Sequence, residues 1–187
     1  PSLVGKPVVV GGDPNGRGVV ASASYEARRF GVRSAMASRR AKELCPHLIF
    51  VPGHHKLYGE YHDRVRTILE RWAPGIEAAS IDEFYLDFSG CNLIYDGVFP
   101  LLRRIRAQIA AELGLPSSAG LAANKLMAKI GSRLAKPAGV AWIPHGAEAE
   151  VLAPLPVRAL PGVGPVTGAA LERLGVTRVG HLASIPG

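Results

Sequence analysis

The sequence is poor in cysteine, with only Cys45 and Cys91 among 187 residues. These two form no disulfide framework and lack the spacing of metal ligands, so we expect both to be reduced, partly buried thiols. The six histidines show no metal-binding spacing either, and we interpret them as ordinary surface or loop residues. The chain also lacks an apolar run of about 18 residues, which could span a membrane, and an N-terminal signal in which basic residues precede an apolar stretch. We therefore expect a soluble intracellular protein without a membrane span.

A nucleotide-binding P-loop is missing as well. Glycines occur at positions 11, 12, 16 and 18, but the Gly-Lys-Ser/Thr ending that a P-loop requires does not follow them. Turn geometry explains these glycines, because Asp-Pro-Asn-Gly at 13–16 has strong turn chemistry. The β-rich runs on either side, 7–11 and 18–22, therefore predict a β-hairpin.

Acidic residues are scarce, since 15 of them stand against 22 Lys and Arg and leave a formal net charge of +7. This imbalance favours a polyanionic partner. Residues 1–42 hold eight basic residues and only Asp13 and Glu26 as acids. The basic residues are Lys6, Arg17, Arg28, Arg29, Arg33, Arg39, Arg40 and Lys42. We expect an electropositive surface there, although each of these side chains by itself is typical of a solvated helix face.

Hydrophobic residues make up 48% of the chain, enough for a sizeable core. Periodicity predicts helices at about 23–30, 35–45, 55–73, 97–113 and 123–135, and strands at 76–80 and 139–143. Apolar stripes on two of these helices are expected in the core; they are Tyr58, Tyr61, Val65, Ile68 and Trp72, and Leu102, Ile105, Ile109 and Leu113. The alternation of strands and helices indicates an α+β sandwich.

Two adjacent carboxylates, Asp82 and Glu83, interrupt an apolar stretch with strand character. Side by side they repel each other and need a counter-charge, for which a divalent metal is the simplest choice. Oxygen-only ligands suit Mg²⁺, which proteins commonly hold with one or two carboxylates plus substrate phosphates. The pair therefore points to phosphoryl or nucleotidyl transfer. From this motif alone, a solvated turn at a strand end remains the alternative.

The helix predicted at 123–135 has a basic face. Lys125, Lys129, Arg133 and Lys136 follow one another at helical spacing. Like charges one turn apart destabilise a helix, so a facing anion would relieve a standing cost. A bound anion and a solvated face are both compatible with this pattern.

After residue 155 the sequence changes to Leu-Pro-Gly-Val-Gly-Pro at 160–165, followed by a short helical run. Two short helices joined by the turn Gly162, Val163 and Gly164 would expose backbone N–H groups, a phosphate site that needs no side-chain charge. The pattern resembles a helix-hairpin-helix, which grips nucleic-acid backbones without reading sequence. A purely structural αα-hairpin is the alternative.

Four segments, in this order along the chain, resemble a Y-family, translesion-type DNA polymerase of the DinB (polymerase IV) branch. They are SASYEARRFGV at 22–32, SIDEFYLD at 80–87, NKLMAKIGSRLAKPAG at 124–139 and LPGVG at 160–164. The resemblance covers essentially the whole chain. It implies an α+β fold with fingers at about 1–54, a palm at about 55–145 with a ferredoxin-like antiparallel sheet packed on helices, and part of a helical thumb with the helix-hairpin-helix at about 146–187.

The resemblance also implies the site residues. Asp82 and Glu83 would be the catalytic metal ligands, with Glu83 also close to the primer 3′-hydroxyl. The remaining roles would be triphosphate binding by Ser22, Tyr25, Arg28 and Lys136, a small nascent base-pair pocket of Val19, Ala21, Ser34 and Ala35, and DNA-backbone binding by Gly162, Val163, Gly164, Lys125 and Lys129.

The activity implied by the resemblance is template-directed addition of dNTPs to a primer 3′-hydroxyl in DNA damage tolerance, with two Mg²⁺ ions that Mn²⁺ can replace. The implied partners are primer-template DNA, dNTP and, through a C-terminal region, the sliding clamp. The protein would be a monomer in a bacterial-type cytoplasm, associated with the nucleoid and not with a membrane.

In the family, a first catalytic strand carries an Asp that bridges both metals and is followed by an aromatic steric gate. That strand would lie before Pro1, and the little-finger domain would lie after Gly187. We therefore expect a polymerase fragment that is inactive alone.

Two other functions stay open at this point. A non-catalytic DNA-binding scaffold would have no chemical reason to keep Asp82, Glu83, Arg28 and Lys136 together. A helix-hairpin-helix nuclease or repair factor would leave the segment at 25–28 unexplained, and the sequence has no second acidic cluster for a nuclease site.

Overall fold

The structure, a computed structural model, describes residues 2–91 and 97–185. The chain forms two compact units, Pro1–Gly59 and Glu60–Gly187. The finer division into fingers, palm and thumb stays a prediction. None of the helices among the described residues is both long and apolar enough to cross a membrane.

The first unit contains a three-stranded sheet. Its strands are β1 (Val8–Gly11), β2 (Val20–Ala23) and β3 (Ile49–Val51), in the order β2-β1-β3. β1 and β2 pair antiparallel, with an irregularity between Val10 and Gly11, so the predicted hairpin is confirmed. β3 pairs parallel to β1, and the sequence pattern did not predict this strand.

Two short helices follow the hairpin, α1 (Tyr25–Arg29) and α2 (Ser38–Leu44). Ser24 caps α1, because its hydroxyl oxygen accepts a hydrogen bond from the Ala27 N–H at 3.2 Å. The core of this unit consists of buried residues from β1, β2, both helices and the segments that connect them: Val9, Val20, Ala23, Ala27, Val32, Ala41, Cys45 and Leu48. Cys45, like Cys91 in the second unit, is a buried free thiol, as the sequence predicted.

Helix α3 (His55–Leu69) continues from the first unit into the second. It ends four residues before the predicted position 73. Of its predicted core stripe, Ile68 is fully buried while Val65 and Trp72 pack against the core in part. Helix α4 (Val98–Leu113) matches its prediction and buries Leu102, Ile105 and Ile109.

The second unit contains two two-stranded sheets. β4 (Gly75–Ala78) and β5 (Phe84–Asp87) form an antiparallel hairpin, as expected for the predicted palm. β6 (Ala119–Leu121) and β7 (Val140–Trp142) pair in parallel, because α5 (Lys125–Leu134) connects them as a crossover helix. The α+β class is confirmed, and this parallel pair is the detail that the expected antiparallel sheet did not include.

β6 and α5 approach each other through two glycines. A Cβ on Gly120 would lie 2.1 Å from the Ala128 carbonyl oxygen, and a Cβ on Gly131 would lie 3.3 Å from the Gly120 Cα. Only glycine leaves room for backbones at this separation. The glycine pair therefore fixes how closely the basic helix lies on the sheet.

The C-terminal part consists of α6 (Glu148–Leu152), a 3₁₀ turn (Val157–Ala159), α7 (Pro165–Arg173) and α8 (Val179–Ala183). The first element of the predicted helix-hairpin-helix is thus a single 3₁₀ turn instead of an α-helix. Arg158 on this turn holds α7 in place, since its guanidinium donates two hydrogen bonds of 2.8 Å to the Glu172 carboxylate and its side chain lies against Gly168.

Candidate functional site

Asp82 and Glu83 lie on the connection between β4 and β5, directly before Phe84. The two carboxylates were expected on a strand, but they lie on the turn between the two strands of the hairpin. The turn is hydrogen-bonded, because the N–H groups of Ala79 and Ser80 both donate to the Glu83 carbonyl, at 2.9 and 3.3 Å. The Ser80 hydroxyl donates to Asp82 Oδ1 at 2.7 Å. Both carboxylates are exposed on a turn of defined shape.

The basic face of α5 faces this hairpin. Lys129 Nζ donates to Glu83 Oε2 at 2.6 Å, and Lys125 forms an ion pair with Glu77 on β4. The hydrogen bond to Glu83 holds the pKa of Lys129 above its usual value, because it favours the charged ammonium. The anions that face Lys125 and Lys129 are therefore carboxylates of the same chain.

A divalent metal fits this donor set. Asp82 and Glu83 offer hard oxygen ligands on an exposed surface, and each uses only one oxygen in the contacts described above. Within residues 2–91 and 97–185, no group of three or more His, Cys, Asp and Glu side chains could hold a metal ion. A metal here would combine these two carboxylates with ligands of another kind, such as substrate phosphates.

Three of the residues predicted to bind triphosphate lie in the first unit, and the structure brings two of them, Tyr25 and Arg28, side by side. Ser22 is exposed on β2, and Tyr25 and Arg28 are exposed on α1. The Arg28 guanidinium lies 6.0 Å from the Tyr25 ring centroid, and its Nε donates to the Ala23 carbonyl at 3.0 Å. This bond fixes the guanidinium while its two terminal NH₂ groups remain for other acceptors.

The residues predicted to line the base-pair pocket are exposed and lie in the same unit. Val19 forms a bridge with Ala37, and the Ala35 N–H donates to the Val20 carbonyl at 2.8 Å. Ala35 has a positive φ of 66°, which is uncommon for a residue with a side chain and tends to occur at functional sites. These contacts place 34–36 beside the strand that carries Ala21.

The other predicted site residues belong to the second unit. Lys136 is exposed just after α5. Gly162 has a φ of 90°, and Gly164 precedes α7 as its N-cap without a side-chain hydrogen bond. Since Pro165 has no N–H, the first N–H groups of α7 that are open to an anion are those of Val166 and Thr167. The predicted roles of these residues, and those of Lys125 and Lys129 in DNA binding, stay predictions.

His62 is a site residue that the sequence pattern did not predict. This residue is half-buried on α3 instead of being an ordinary surface or loop histidine, and its ring contacts the carboxylate turn. Glu77, the partner of Lys125, was not predicted either. Both contacts join residues far apart in the chain. The only indication in the sequence was that His62 lies next to the apolar stripe of α3, which is expected in the core.

Comparison with known protein families adds to this geometry. A family model described as the impB/mucB/samB family matches residues 1–133. The chain belongs to this family. A second model, the IMS family HHH motif, matches residues 145–176, which contain the 3₁₀ turn and α7. The impB/mucB/samB assignment confirms the resemblance to DinB-type Y-family polymerases.

Curated relatives and solved structures agree. The chain is 44% identical, over its whole length, to proteins named DNA polymerase IV from Dehalococcoides mccartyi (strain CBDB1) and from Shewanella oneidensis, covering 48% and 52% of them. It matches the crystal structure of DinB from Sulfolobus solfataricus with a TM-score of 0.89 and 32% identity, and an insertion ternary complex of Dbh DNA polymerase with 0.85 and 33%. It covers 55% of each of these two structures. The chain thus spans about half the length of these relatives.

Proposed function

We propose that the chain is part of a translesion-type DNA polymerase that adds dNTPs to a primer 3′-hydroxyl by two-metal nucleotidyl transfer. The observation that carries this proposal is the exposed pair Asp82 and Glu83 on a hydrogen-bonded turn, with the Lys129 ammonium against Glu83. The family relatives named DNA polymerase IV support it.

In this proposal, Asp82 and Glu83 would hold divalent metal ions, which would supply charge neutralisation at the phosphates and activation of the primer hydroxyl. The hydrogen bonds from Ser80 and Lys129 orient the two carboxylates before substrate arrives. Phosphoryl transfer depends mainly on positioning and charge neutralisation, so a preformed carboxylate turn supplies what this chemistry needs.

Arg28, Tyr25, Ser22 and Lys136 bind the triphosphate of the incoming nucleotide in this proposal. Arg28 offers a planar fork that can bind two phosphate oxygens at once, whereas Lys136 acts as a point charge. The small side chains of Ala21 and Ala35 leave space around the new base pair, which suits a polymerase that accepts damaged templates.

In this proposal, the N-terminus of α7 contacts the phosphate backbone of the DNA duplex. Gly162 and Gly164 present N–H groups there without side-chain charge, so the contact is independent of sequence. Val163 between them shapes the turn, because its N–H donates to the Leu160 carbonyl at 3.1 Å. The net charge of +7 favours the same polyanionic partner.

The finer points are part of the same proposal. The metal ions are two Mg²⁺, for which Mn²⁺ can substitute, because oxygen-only ligands suit both. The protein acts as a monomer on primer-template DNA in the bacterial cytoplasm, associated with the nucleoid. It contacts the sliding clamp through a region outside this sequence.

Primer extension tests the proposal. The full-length gene product and the 187-residue chain are incubated side by side with primer-template DNA, dNTPs and Mg²⁺, and the extended primer is resolved on a denaturing gel. We expect template-directed extension by the full-length protein, and we expect it to disappear on chelation of the metal. DNA binding without any extension by the full-length protein would instead favour a non-catalytic scaffold.

Replacing Arg28 by Ala is expected to lower kcat/KM for dNTP by about 10- to 100-fold, because one charge-assisted phosphate contact is worth about 1.5–3 kcal/mol. The affinity for primer-template is expected to change much less. Single-turnover incorporation over a range of dNTP concentrations measures the first quantity, and fluorescence anisotropy the second. Arg29→Ala, the exposed neighbour on α1, is the matched control. Equal losses in both quantities would assign Arg28 to general DNA binding.

A further inference from the structure

His62 contacts the carboxylate turn on both sides of the acidic pair. Its Nδ1 lies 2.9 Å from the carbonyl oxygen of Ile81, the residue before Asp82. Its ring stacks on Phe84, the residue after Glu83, with centroids 4.6 Å apart and planes 25° apart. One side chain therefore holds the residues that flank the two carboxylates.

The chemistry of the contact fixes the tautomer of His62. A carbonyl oxygen can only accept a hydrogen bond, so Nδ1 must carry the proton and donate it to Ile81. Ile81 is half exposed, at 51%, so burial of its own side chain does not hold it in place. The hydrogen bond from His62 supplies an attachment that the apolar side chain of Ile81 lacks.

The ring of His62 is itself anchored. Phe84 packs against the core cluster that contains Ile68, Leu102 and Ile105, and His62 stacks on this partly buried ring. α3 supplies the backbone of His62 and part of the same core through Ile68 and Leu69. The turn is thus tied to a packed region through a ring with little freedom to move.

We propose that His62 is a positioning residue that fixes the turn bearing Asp82 and Glu83, an inference that rests on the function proposed above. The Nδ1–H group holds the Ile81 carbonyl, and the stack on Phe84 sets the direction of the ring. His62 itself touches neither carboxylate in the described contacts; it acts through the backbone on either side of them. Metal and substrate then meet a turn that has lost most of its freedom before they bind.

Three variants of the full-length protein separate this role from simple packing. His62→Phe keeps an aromatic ring for Phe84 but removes the donor. His62→Asn keeps an amide donor near the position of Nδ1 but removes the ring. His55→Phe makes the same change as the first variant on the same helix, where the described ring contact is with Tyr58.

Two measurements are made on each variant. Hydrogen exchange of the segment 79–84 is followed by mass spectrometry without metal, DNA or nucleotide. The Mg²⁺ concentration that gives half-maximal primer extension is determined separately, together with the rate at saturating Mg²⁺.

For His62→Phe we expect exchange about tenfold faster and a Mg²⁺ requirement about tenfold higher, the effect of losing one hydrogen bond that orders the turn. We expect the rate at saturating Mg²⁺ to recover, which a merely structural defect would not allow. His62→Asn should restore both quantities to within about twofold of the unchanged protein, and His55→Phe should leave them unaltered.

His62→Phe indistinguishable from the unchanged protein would overturn the proposal, and so would an Asn variant no better than the Phe variant. Failure of the proposed function has a different signature. In that case the unchanged protein would not extend a primer at any Mg²⁺ concentration, while hydrogen exchange would still report whether His62 holds the turn.

Discussion

Replacing Gly120 by Ala is expected to destabilise the second unit by about 3 kcal/mol or more, at the upper end of what overpacking costs. The added Cβ would lie 2.1 Å from the Ala128 carbonyl oxygen, 2.4 Å from the Ser132 nitrogen and 2.9 Å from the Gly131 carbonyl carbon. All three are backbone atoms, so no side-chain rotation can relieve the clash. The only response is for β6 and α5 to move apart.

Thermal unfolding followed by circular dichroism measures this effect. For a chain of this size, the expected loss corresponds to a melting temperature lower by roughly 10 °C. Gly59→Ala is the matched control, because Gly59 lies within α3 and a Cβ there meets nothing within 4 Å. That substitution should leave the melting temperature unchanged or raise it slightly, as expected when glycine inside a helix becomes alanine. Similar melting temperatures for both variants would contradict the close-approach argument.

The same substitution has a functional consequence. α5 carries Lys125 and Lys129, which bind Glu77 and Glu83 on the β4–β5 hairpin. Moving α5 away from β6 therefore shifts the helix that contacts the carboxylate turn. Gly120 and Gly131 are distant in sequence from the carboxylate pair at 82 and 83. Their close packing nevertheless sets the position of α5, from which Lys129 reaches Glu83.

The predictable part of the fold is the part that local sequence determines. The hairpin of β1 and β2 follows from its Asp-Pro-Asn-Gly turn, and α4 follows from the periodicity of Leu102, Ile105 and Ile109. β6 was missed because Ala119, Gly120 and Leu121 have little strand character of their own. They form a strand because Gly120 lets α5 pack closely and because β7 pairs beside them. Such tertiary contacts are not visible in a short window of sequence.

The candidate site divides in the same way. Asp82 and Glu83 could be recognised because the chemical type of two adjacent carboxylates is written in the sequence. The residues that hydrogen-bond to this turn could not be recognised from the sequence, since Lys129 is 46 positions from Glu83 and His62 is 19 positions from Ile81. The three basic residues on α5 look alike in sequence, and the structure gives them different partners. Lys129 binds Glu83, whereas Arg133 donates to the Ala159 carbonyl at 3.0 Å.

Replacing Asp82 by Asn in the full-length protein is expected to lower the rate of nucleotide incorporation by about three orders of magnitude or more. The change removes one negative charge from the proposed metal ligands, where charge stabilisation is worth several kcal/mol. An Asn side-chain oxygen can still accept the hydrogen bond from the Ser80 hydroxyl, so the turn keeps its shape. The affinity for primer-template should stay within about threefold, because many phosphate contacts contribute to it.

Asp87→Asn is the matched control for this prediction. Asp87 ends β5 of the same hairpin, and hydrogen bonds from the Ser89 hydroxyl and N–H lower the pKa of its carboxyl. The control therefore changes the net charge equally, on the same hairpin and with the same substitution, at a carboxylate that the proposal does not assign to the metal. Rapid-quench incorporation and anisotropy measure rate and DNA affinity for both variants. If Asp82→Asn kept a rate within tenfold of the unchanged protein, or if Asp87→Asn were equally impaired, the pair at 82 and 83 would not be the metal site. A large loss confined to Asp82 would separate the chemistry of that carboxylate from the charge of the hairpin as a whole.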